Sequence, residues 1–299
     1  MTLQRRIFRA MGTDVECLLE RPCDAAAAQA LDAAEAEFAR LEATLSRFRP
    51  ESELSRLNAA GEATVGADLL ELAAAALEAR ARSGGRFDPT VHDALVAAGY
   101  DRSFELLALR EASSAVAVAI PSAERCAGAL QVDRERSHIA LGAGTRLDLG
   151  GIAKGHAADR VSDTLARSGP CLVNAGGDIA VRGEPSAGLW AISVPTGDGE
   201  ITIGLAQGGL ATSGVDRRHW RHDGAERHHI IDPATGLPAT TDLLRVTVVA
   251  GSARDAEILA TSLMLAGDLE MAAAEADADG TPCVLVGLDG HTQLAGGLR

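Results

Sequence analysis

The stretch LDLGGIAKGHAADR, residues 147–160, joins two different sequence patterns. Residues 139–149 combine β-favouring residues with turn residues and predict extended chain. Apolar residues then recur at intervals of four and predict a helix over residues 156–166. Residues 150–155 therefore predict a strand-to-helix turn. Because the first N–H groups of a helix lack intrahelical partners and lie at the positive end of its dipole, such a turn suits a phosphate group.

On either side of this stretch the chain mixes helical and extended patterns. Helices are predicted at residues 25–45, 67–82 and 254–266, with a short helix capped by Ser52 and another after Gly84 and Gly85. Strands and turns are predicted at residues 3–20, 114–149, 171–184, 188–250 and 282–287. The pattern has no regular βαβ alternation and no internal repeat. It predicts one α+β domain spanning residues 1–299, with a largely antiparallel sheet and packed helices.

The composition limits the classes of function. The 299 residues are 46% hydrophobic and 23% charged, as in soluble globular proteins, and the formal net charge is −14. This charge argues against nucleic acid or an anionic membrane as a partner, but it allows a small phosphate-bearing molecule. The five scattered cysteines form no CxxC pair, which argues against zinc and thioredoxin-like chemistry.

The beginning of the sequence bears on location. It shows no apolar signal segment and no lipobox, and no run of about 18 apolar residues occurs anywhere in the sequence. The sequence therefore predicts a cytoplasmic protein without a transmembrane segment. An exported form whose leader has been removed stays open.

Generic catalytic motifs do not account for the glycines. Gly142 and Gly144 begin a GxG pattern, but Leu147 stands where a dinucleotide-binding fingerprint has its third glycine. The segment GIAKG is not a P-loop, because its lysine precedes the last glycine and no Ser or Thr follows. The chain also lacks a GxSxG elbow and an HExxH zinc motif.

Eight segments taken together are more informative than any one motif. They occur in a fixed order: MGT (11–13), SRFRPESELSRLN (46–58), GGRFDPTV (84–91), LDLGGIAKGHAADR (147–160), LVNAGGDIAVRG (172–183), ATSG (211–214), HHIIDPATGLPA (228–239) and VTVVAGSARDAEILATSLMLAG (246–267). In this order they resemble the FAD:protein FMN transferase family, the ApbE flavin transferases. The resemblance extends from about residue 8 to about residue 290.

The resemblance implies a specific reaction. Members bind FAD and a divalent cation, usually Mg²⁺, and cleave the pyrophosphate of FAD. They join FMN through a phosphoester to a Thr or Ser of an acceptor flavoprotein and release AMP. Water as the acceptor would make the protein an FAD pyrophosphatase that yields FMN and AMP, and a non-catalytic FAD-binding protein is a third alternative. The chain lacks the acceptor's flavinylation motif, so it resembles the donor enzyme.

The resemblance also assigns roles to residues. The residues implied to contact FAD are Met11, Phe48, Arg86, Phe87, Asp88, Asp148, Lys154 and Ile231. His229 would be the base that takes the proton of the acceptor hydroxyl, and Lys154 would also act in catalysis. The metal ligands would be the backbone carbonyl of Gly151 and the side chains of Glu257 and Thr261. Two positions depart from the common pattern, since many members have Tyr at 48 and Asp at 257.

Chemical arguments support several of these roles and leave alternatives open. Glu257 and Thr261 are four apart and share a helix face, and their oxygen atoms suit a hard cation, whereas Asp255 points to another face. Lys154 could stabilise negative charge on departing AMP, or it could be a solvated lysine at a helix start. Asp148 could contact flavin or order its turn. His228 is the alternative base to His229.

Overall fold

The computed structural model describes residues 2–108, 126–222 and 224–298. The chain forms two compact units, each assembled from separate segments. Unit 1 comprises Met1–Glu42, Ile152–Ser213 and Asp242–Arg299. Unit 2 comprises Ala43–Gly151 and Gly214–Thr241. The domain assignment of residues 1–299 as one domain stays a prediction.

Helices and strands alternate irregularly along the described chain. The helices are α1 (Ala25–Leu45), α2 (Glu53–Ala60), α3 (Ala67–Arg82), α4 (His92–Ala97), α5 (Phe104–Ala108), α6 (Ala153–Leu165), α7 (Ala253–Met264) and α8 (Leu269–Asp279). The strands are β1 (Thr2–Ala10), β2 (Thr13–Arg21), β3 (Glu62–Thr64), β4 (Leu130–Asp133), β5 (His138–Leu141), β6 (Cys171–Ala175), β7 (Asp178–Arg182), β8 (Trp190–Pro195), β9 (Glu200–Leu205), β10 (Gln207–Gly214), β11 (His219–His222), β12 (Ala225–His228), β13 (Ile231–Asp232), β14 (Leu237–Pro238), β15 (Leu243–Ala250), β16 (Cys283–Gly287) and β17 (Thr292–Ala295).

Unit 1 is built on an eight-stranded sheet with the order β1-β2-β6-β7-β10-β15-β16-β17. The pairs β1–β2, β2–β6, β6–β7, β7–β10, β15–β16 and β16–β17 are antiparallel. Helix α6 packs on β6 and β7, and α7 packs on β15. The hairpin β8–β9 buries Trp190, Ile192 and Val194 in a core that includes Val181 and Val284. The predicted α+β class with a largely antiparallel sheet is confirmed.

Unit 2 contains smaller elements around its own core. A three-stranded sheet has the order β3-β5-β4, and β11–β12 and β13–β14 form separate two-stranded ladders. Helix α2 begins as expected, because Ser52 accepts a hydrogen bond from the N–H of Ser55 and so caps it. Tyr100, Trp220 and Ile231 are buried together with Leu95 of α4.

The predicted strand-to-helix turn is followed by the expected helix, but no strand leads directly into it. Helix α6 begins at Ala153, but the last strand before it ends at Leu141. Asn58 explains the difference, because its side-chain amide donates to the carbonyl of Leu147 and accepts from its N–H, at 2.8 and 2.7 Å. A side chain therefore supplies the hydrogen bonds that a neighbouring strand would otherwise provide. The turn leads into α6 from irregular chain.

The other elements agree with the sequence patterns to different degrees. Helices α1 and α3 have the predicted bounds, whereas α8 and β17 were not predicted. Helix α8 buries mostly alanines, Ala272, Ala273 and Ala276, which give little periodic signal. The part of the predicted strand region at residues 114–125 lies outside the described residues. Within the described ranges, no helix is both long and apolar enough to cross a membrane.

Candidate functional site

Helices α6 and α7 of unit 1 approach each other closely. Gly155 makes this possible, because a Cβ atom at this position would lie 2.6 Å from the carbonyl oxygen of Ala253. Asp159, one turn farther along α6, accepts hydrogen bonds of 3.0 Å from the N–H groups of Ala253 and Arg254. Its carboxylate thereby satisfies the first turn of α7. These contacts fix α6 against the helix that carries Glu257.

Lys154, in the first turn of α6, lies between two buried carboxylates. Its ammonium forms an ion pair with Glu257, and it lies 2.5 Å from Oδ2 of Asp178, the first residue of β7. The Lys154 side chain is 16% exposed and each carboxylate side chain is 4% exposed. We call Lys154, Asp178 and Glu257 the lysine cluster. With all three groups ionised, the cluster carries one more negative than positive charge.

Glu257 uses both of its carboxylate oxygens within unit 1. One oxygen meets the ammonium of Lys154, and Oε2 accepts a hydrogen bond of 2.9 Å from the N–H of Gly155. Burial and the Asp178 carboxylate raise the pKa of Glu257 above its ordinary value, while Lys154 and the Gly155 N–H act in the opposite direction. The N–H of Gly155 belongs to the turn that was predicted to suit a phosphate group. It is instead bound by the Glu257 side chain.

Oxygen donors suited to a hard cation lie on α7 and β10. Thr261 is one turn beyond Glu257, and its hydroxyl oxygen lies 3.0 Å from that of Ser213. A carboxylate and hydroxyl groups are the donor types that Mg²⁺ accepts, so the residues of unit 1 fit the cation that the resemblance implies. Residues 2–108, 126–222 and 224–298 hold no group of three or more His, Cys, Asp or Glu side chains placed to bind a metal. Gly151 belongs to unit 2, and its role as a ligand stays a prediction.

Lys154 is the single lysine of the sequence, since every other basic position among the 28 Lys and Arg residues is arginine. An ammonium is a compact point charge, whereas a guanidinium is planar and larger. The cation between the two carboxylates is therefore the single ammonium side chain of the sequence. A cation in the first turn of a helix is also disfavoured by the helix dipole, and the two carboxylates offset that cost.

A second buried ion pair lies in unit 2. The Nε of Arg47 lies 2.5 Å from Oδ2 of Asp148, with side chains 6% and 9% exposed. Arg47 also donates to the carbonyl of Tyr100 at 2.8 Å and lies over the rings of Phe48 and Tyr100, at 4.2 and 4.8 Å from their centroids. We call Arg47, Phe48, Tyr100 and Asp148 the arginine cluster. It pairs one positive with one negative charge.

Asp148 has a structural role, which was the alternative left open for it. Its Oδ1 accepts a hydrogen bond of 2.7 Å from the N–H of Gly150 and so orders the turn before α6. Its other oxygen is bound by Arg47. The predicted contact of Asp148 with FAD stays a prediction, and any such contact would be made by a carboxylate that already has two partners.

Aromatic side chains extend the arginine cluster into the core of unit 2. The ring of Phe48 is 5.6 Å from that of Tyr100, which is 5.2 Å from Trp220. Phe48 is 38% exposed, unlike the buried Tyr100 and Trp220. Ile231 is 4% exposed and belongs to the same core. Phe48 therefore offers an accessible ring face, whereas Ile231 has an evident packing role beside its predicted contact with adenine.

The predicted FAD-contact stretch of Arg86, Phe87 and Asp88 follows α3. Asp88 is 7% exposed and accepts hydrogen bonds from the N–H and hydroxyl of Thr90, at 2.8 and 2.7 Å. Burial raises the pKa of Asp88 against these bonds. The Phe87 ring lies 3.3 Å from where a Cβ of Gly151 would be, so these two predicted site residues are neighbours.

The two candidate bases lie side by side at the end of β12. His228 is the last residue of the strand, and its Nε2 lies 3.1 Å from the carbonyl oxygen of Ala239. Burial lowers the pKa of His228. His229 follows the strand, and its backbone N–H donates to the carbonyl of Arg218 at 3.2 Å. One ring nitrogen of His228 is thus bound by the backbone. The assignment of His229 as the base stays a prediction.

Met11 lies in the two-residue turn between β1 and β2. Its φ is +52°, and that of Gly12 is +67°. Two positive φ values are typical of the tight turn that suits the twist of a hairpin, but a side chain other than Gly or Asn is uncommon there. The conformation is therefore unusual for a methionine. Its contact with FAD stays a prediction.

Several residues of these clusters were not singled out from the sequence. Asp178, Asp159, Ser213 and Arg47 all contact or orient predicted site residues. Asp178 follows the double glycine of NAGGDIA, and Arg47 precedes Phe48, so both lay within segments already recognised. Their roles depend on which residues fold against them, and no local pattern carries that information.

The chain is similar to known proteins over most of its length. The model of the ApbE family matches residues 11–285. A Treponema pallidum protein named FAD:protein FMN transferase is 33% identical over 261 residues, which cover 76% of this chain and 68% of that protein. The crystal structure of a Thermotoga maritima ApbE protein is similar with a TM-score of 0.84 and 25% identity, over 98% of this chain and 97% of that one.

A flavin transferase ApbE from Vibrio cholerae, solved as a mutant in which a histidine is replaced by glycine, is similar with a TM-score of 0.81 and 25% identity. The match covers 99% of this chain and 98% of that one. The similarity therefore extends over both units of the chain.

Proposed function

The chain belongs to the ApbE family, and on that premise we propose that it is an FAD:protein FMN transferase. It takes FAD as substrate and transfers FMN to a protein. We further propose that the acceptor is a flavoprotein whose Thr or Ser hydroxyl attacks the FMN phosphorus. The hydroxyl loses its proton, a phosphoester forms, the pyrophosphate bond breaks, and AMP leaves with the electron pair of that bond.

The lysine cluster is the observation that carries this proposal. Two residues with implied roles at the pyrophosphate, Lys154 and Glu257, are 103 positions apart in the sequence and form a buried ion pair. A buried ammonium in the first turn of a helix is a costly arrangement in a protein that needs only a fold. It is suited to stabilise the negative charge that grows on departing AMP.

Mg²⁺ is part of the proposal, and the chemistry of the donor set supports it. Glu257 and Thr261 of unit 1 would hold the cation; the carbonyl of Gly151 stays a ligand that only the resemblance implies. When bound, Mg²⁺ would act as a Lewis acid on the pyrophosphate oxygens. Lys154 supplies a second positive charge, and Phe48 offers an exposed ring face for an apolar part of FAD.

His229 is the proposed base for the acceptor hydroxyl. An imidazole titrates near neutral pH and can take the proton as the hydroxyl attacks phosphorus. His228 provides a matched comparison, because its Nε2 meets the carbonyl of Ala239 and burial lowers its pKa. We expect His229→Ala to slow FMN transfer by about 10²–10⁴-fold and His228→Ala to have a small effect. Equal effects, or the reverse order, would contradict the assignment.

The central test is incubation of the protein with FAD, Mg²⁺ and an acceptor domain that carries a Thr or Ser flavinylation motif. We expect the intact mass of the acceptor to rise by FMN less one water, with one AMP released per acceptor modified. An acceptor whose motif hydroxyl is replaced by Ala is the control.

The same measurement separates the alternatives. AMP and free FMN without acceptor modification would identify an FAD pyrophosphatase. FAD binding without AMP release under any of these conditions would identify a non-catalytic FAD-binding protein.

A further inference from the structure

The lysine cluster has a surplus of negative charge in a buried place. Two carboxylates, each 4% exposed, face one ammonium. In the described part of the chain, Lys154 is the one cationic side chain that contacts either of them. Arg182, at the end of β7, is instead bound by Asp159 and Asp163. The charge of Lys154 is therefore shared between Asp178 and Glu257.

The two carboxylates differ in their other contacts. Glu257 lies on α7, one turn from Thr261, and is the proposed cation ligand; its Oε2 also accepts the Gly155 N–H. Asp178 begins β7 and is 3% exposed, and its Oδ2 has no hydrogen bond beyond the ion pair with Lys154. The ammonium is thus held by Glu257, the proposed cation ligand, and by Asp178, to which the proposed function gives no role at the cation.

We propose that the Lys154 ammonium is a displaceable internal counter-ion. In the cation-free protein it neutralises Glu257; a divalent cation takes its place on Glu257, and Asp178 retains the lysine. This inference rests on the proposed function, in which Glu257 is a cation ligand. It makes Asp178 a positioning residue that acts through Lys154.

The exchange changes the sign of the local charge. With Glu257 ionised, the three side chains of the cluster sum to one negative charge, which repels a pyrophosphate; with Glu257 protonated, the state that its raised pKa favours, they sum to zero and do not attract one. A divalent cation added to the same side chains gives a sum of one positive charge, which attracts it. Displacement of an ammonium would therefore couple cation binding to the affinity for FAD. Arginine would serve this exchange poorly, because a guanidinium is larger and more strongly fixed by its planar donors.

The single lysine allows direct observation of the exchange. Protein labelled with ¹³C at the lysine Cε carbon should give one lysine signal from these 299 residues. We expect this signal to shift in a saturable way when diamagnetic Mg²⁺ is added without FAD, because the ammonium loses Glu257 as a partner. Glu257→Gln should abolish the Mg²⁺-dependent shift. A lysine signal that does not move with Mg²⁺ would overturn the inference.

Cation affinity supplies an independent measurement. Lys154→Met removes the competing charge and keeps a similar chain length, so the FAD-free variant should bind Mn²⁺ about tenfold more tightly than the wild type. Calorimetry or the electron paramagnetic resonance signal of free Mn²⁺ measures this. Equal or weaker binding by Lys154→Met would overturn the inference. Circular dichroism of each variant checks that it is folded, and the lysine signal of the wild type needs no variant.

A double-mutant cycle tests the role of Asp178. Asp178→Asn should weaken Mn²⁺ binding when it is introduced into the wild-type protein. It should have little effect when introduced into Lys154→Met, because a positioning residue acts through the lysine. An equal loss in both backgrounds would make Asp178 a direct ligand and overturn its assignment. Transfer of FMN to an acceptor by the wild type is measured separately, so failure of the exchange and failure of the proposed function give different results.

Discussion

Arg47 in unit 2 and Lys154 in unit 1 are both buried cations beside carboxylates, but their surroundings differ. Arg47 has one carboxylate, one backbone carbonyl and two aromatic rings, so its charge and its donors are matched. Lys154 has two carboxylates. The arginine cluster is balanced and fixed, whereas the lysine cluster retains negative charge that a further cation can use.

The comparison indicates which buried ion pair stabilises the fold and which one serves chemistry. A charge-matched pair with additional hydrogen bonds can offset the cost of its own burial. A cluster with surplus charge carries a cost that the folded protein bears continuously, and such costs are typical of functional sites. Variants of both clusters can test this distinction.

The largest expected effect is on stability and concerns the balanced cluster. Arg47→Met leaves the Asp148 carboxylate buried without its partner, so we expect the free energy of unfolding to fall by about 3–5 kcal/mol. Urea denaturation measures this. Arg136→Met is the control, because the Arg136 side chain is 85% exposed and its loss should change stability little. If Arg47→Met loses no more stability than Arg136→Met, the arginine cluster contributes no net stability.

The next effect concerns catalysis and the shape of the cation. Lys154→Arg keeps the charge but introduces a planar group between two carboxylates, so we expect FMN transfer to slow by about 10²–10³-fold. Arg47→Lys exchanges the same residue types in the other cluster and should slow transfer less. The acceptor's intact mass over time measures both rates. A Lys154→Arg variant as fast as the wild type would remove the distinction between the clusters.

A smaller effect tests how the lysine cluster is held. Gly155→Ala places a methyl group 2.6 Å from the carbonyl oxygen of Ala253, so α6 and α7 must move apart. We expect a loss of about 1–3 kcal/mol in the free energy of unfolding, with a loss of FMN transfer. Gly251→Ala is the matched control next to α7, since no atom lies within 4 Å of a Cβ there. Equal stability of the two variants would contradict the close approach.

The smallest expected effect is on the pH dependence of stability. The pKa of Glu257 is higher in the folded protein than in the unfolded chain, so folding takes up a proton between these two pKa values. The stability that this group contributes therefore falls as the pH rises above its pKa in the unfolded chain. Glu257→Gln should therefore weaken the fall in Tm between mildly acidic and mildly basic pH, measured without divalent cations. Glu270→Gln, on the exposed side of α8, should leave the profile unchanged. A wild-type profile in Glu257→Gln would show that Glu257 folds with an ordinary pKa.

The sequence predicted the long helices better than the contacts of the site. The bounds of α1 and α3 follow from sustained apolar periodicity, which depends on local sequence. Helix α8 was missed because its buried face consists largely of alanines, which are equally common on exposed helix faces. Residues 139–149 were expected to be extended, but β5 ends at Leu141 and the side chains of Asn58 and Asp148 bind the backbone beyond it.

The resemblance found the segments of the candidate site, but not how its residues are bonded. Lys154 and Glu257 were each singled out, yet their ion pair depends on the packing of α6 on α7, which Gly155 and Asp159 make possible. Asp178 was overlooked because a carboxylate after two glycines is usual in a turn. Charge balance is a property of the assembled cluster, so no single segment could reveal it.

The order of the segments in unit 1 has a consequence for synthesis on the ribosome. Its sheet pairs β2 with β6, and β15, β16 and β17 complete it from the last segment of the chain. A nascent chain that ends before Asp242 has β10 as an open sheet edge, and open edges invite pairing with other chains. We expect such ribosome-bound intermediates to need chaperones until the C-terminal segment emerges. Truncation within residues 242–299 should therefore cause aggregation rather than a shortened, folded protein.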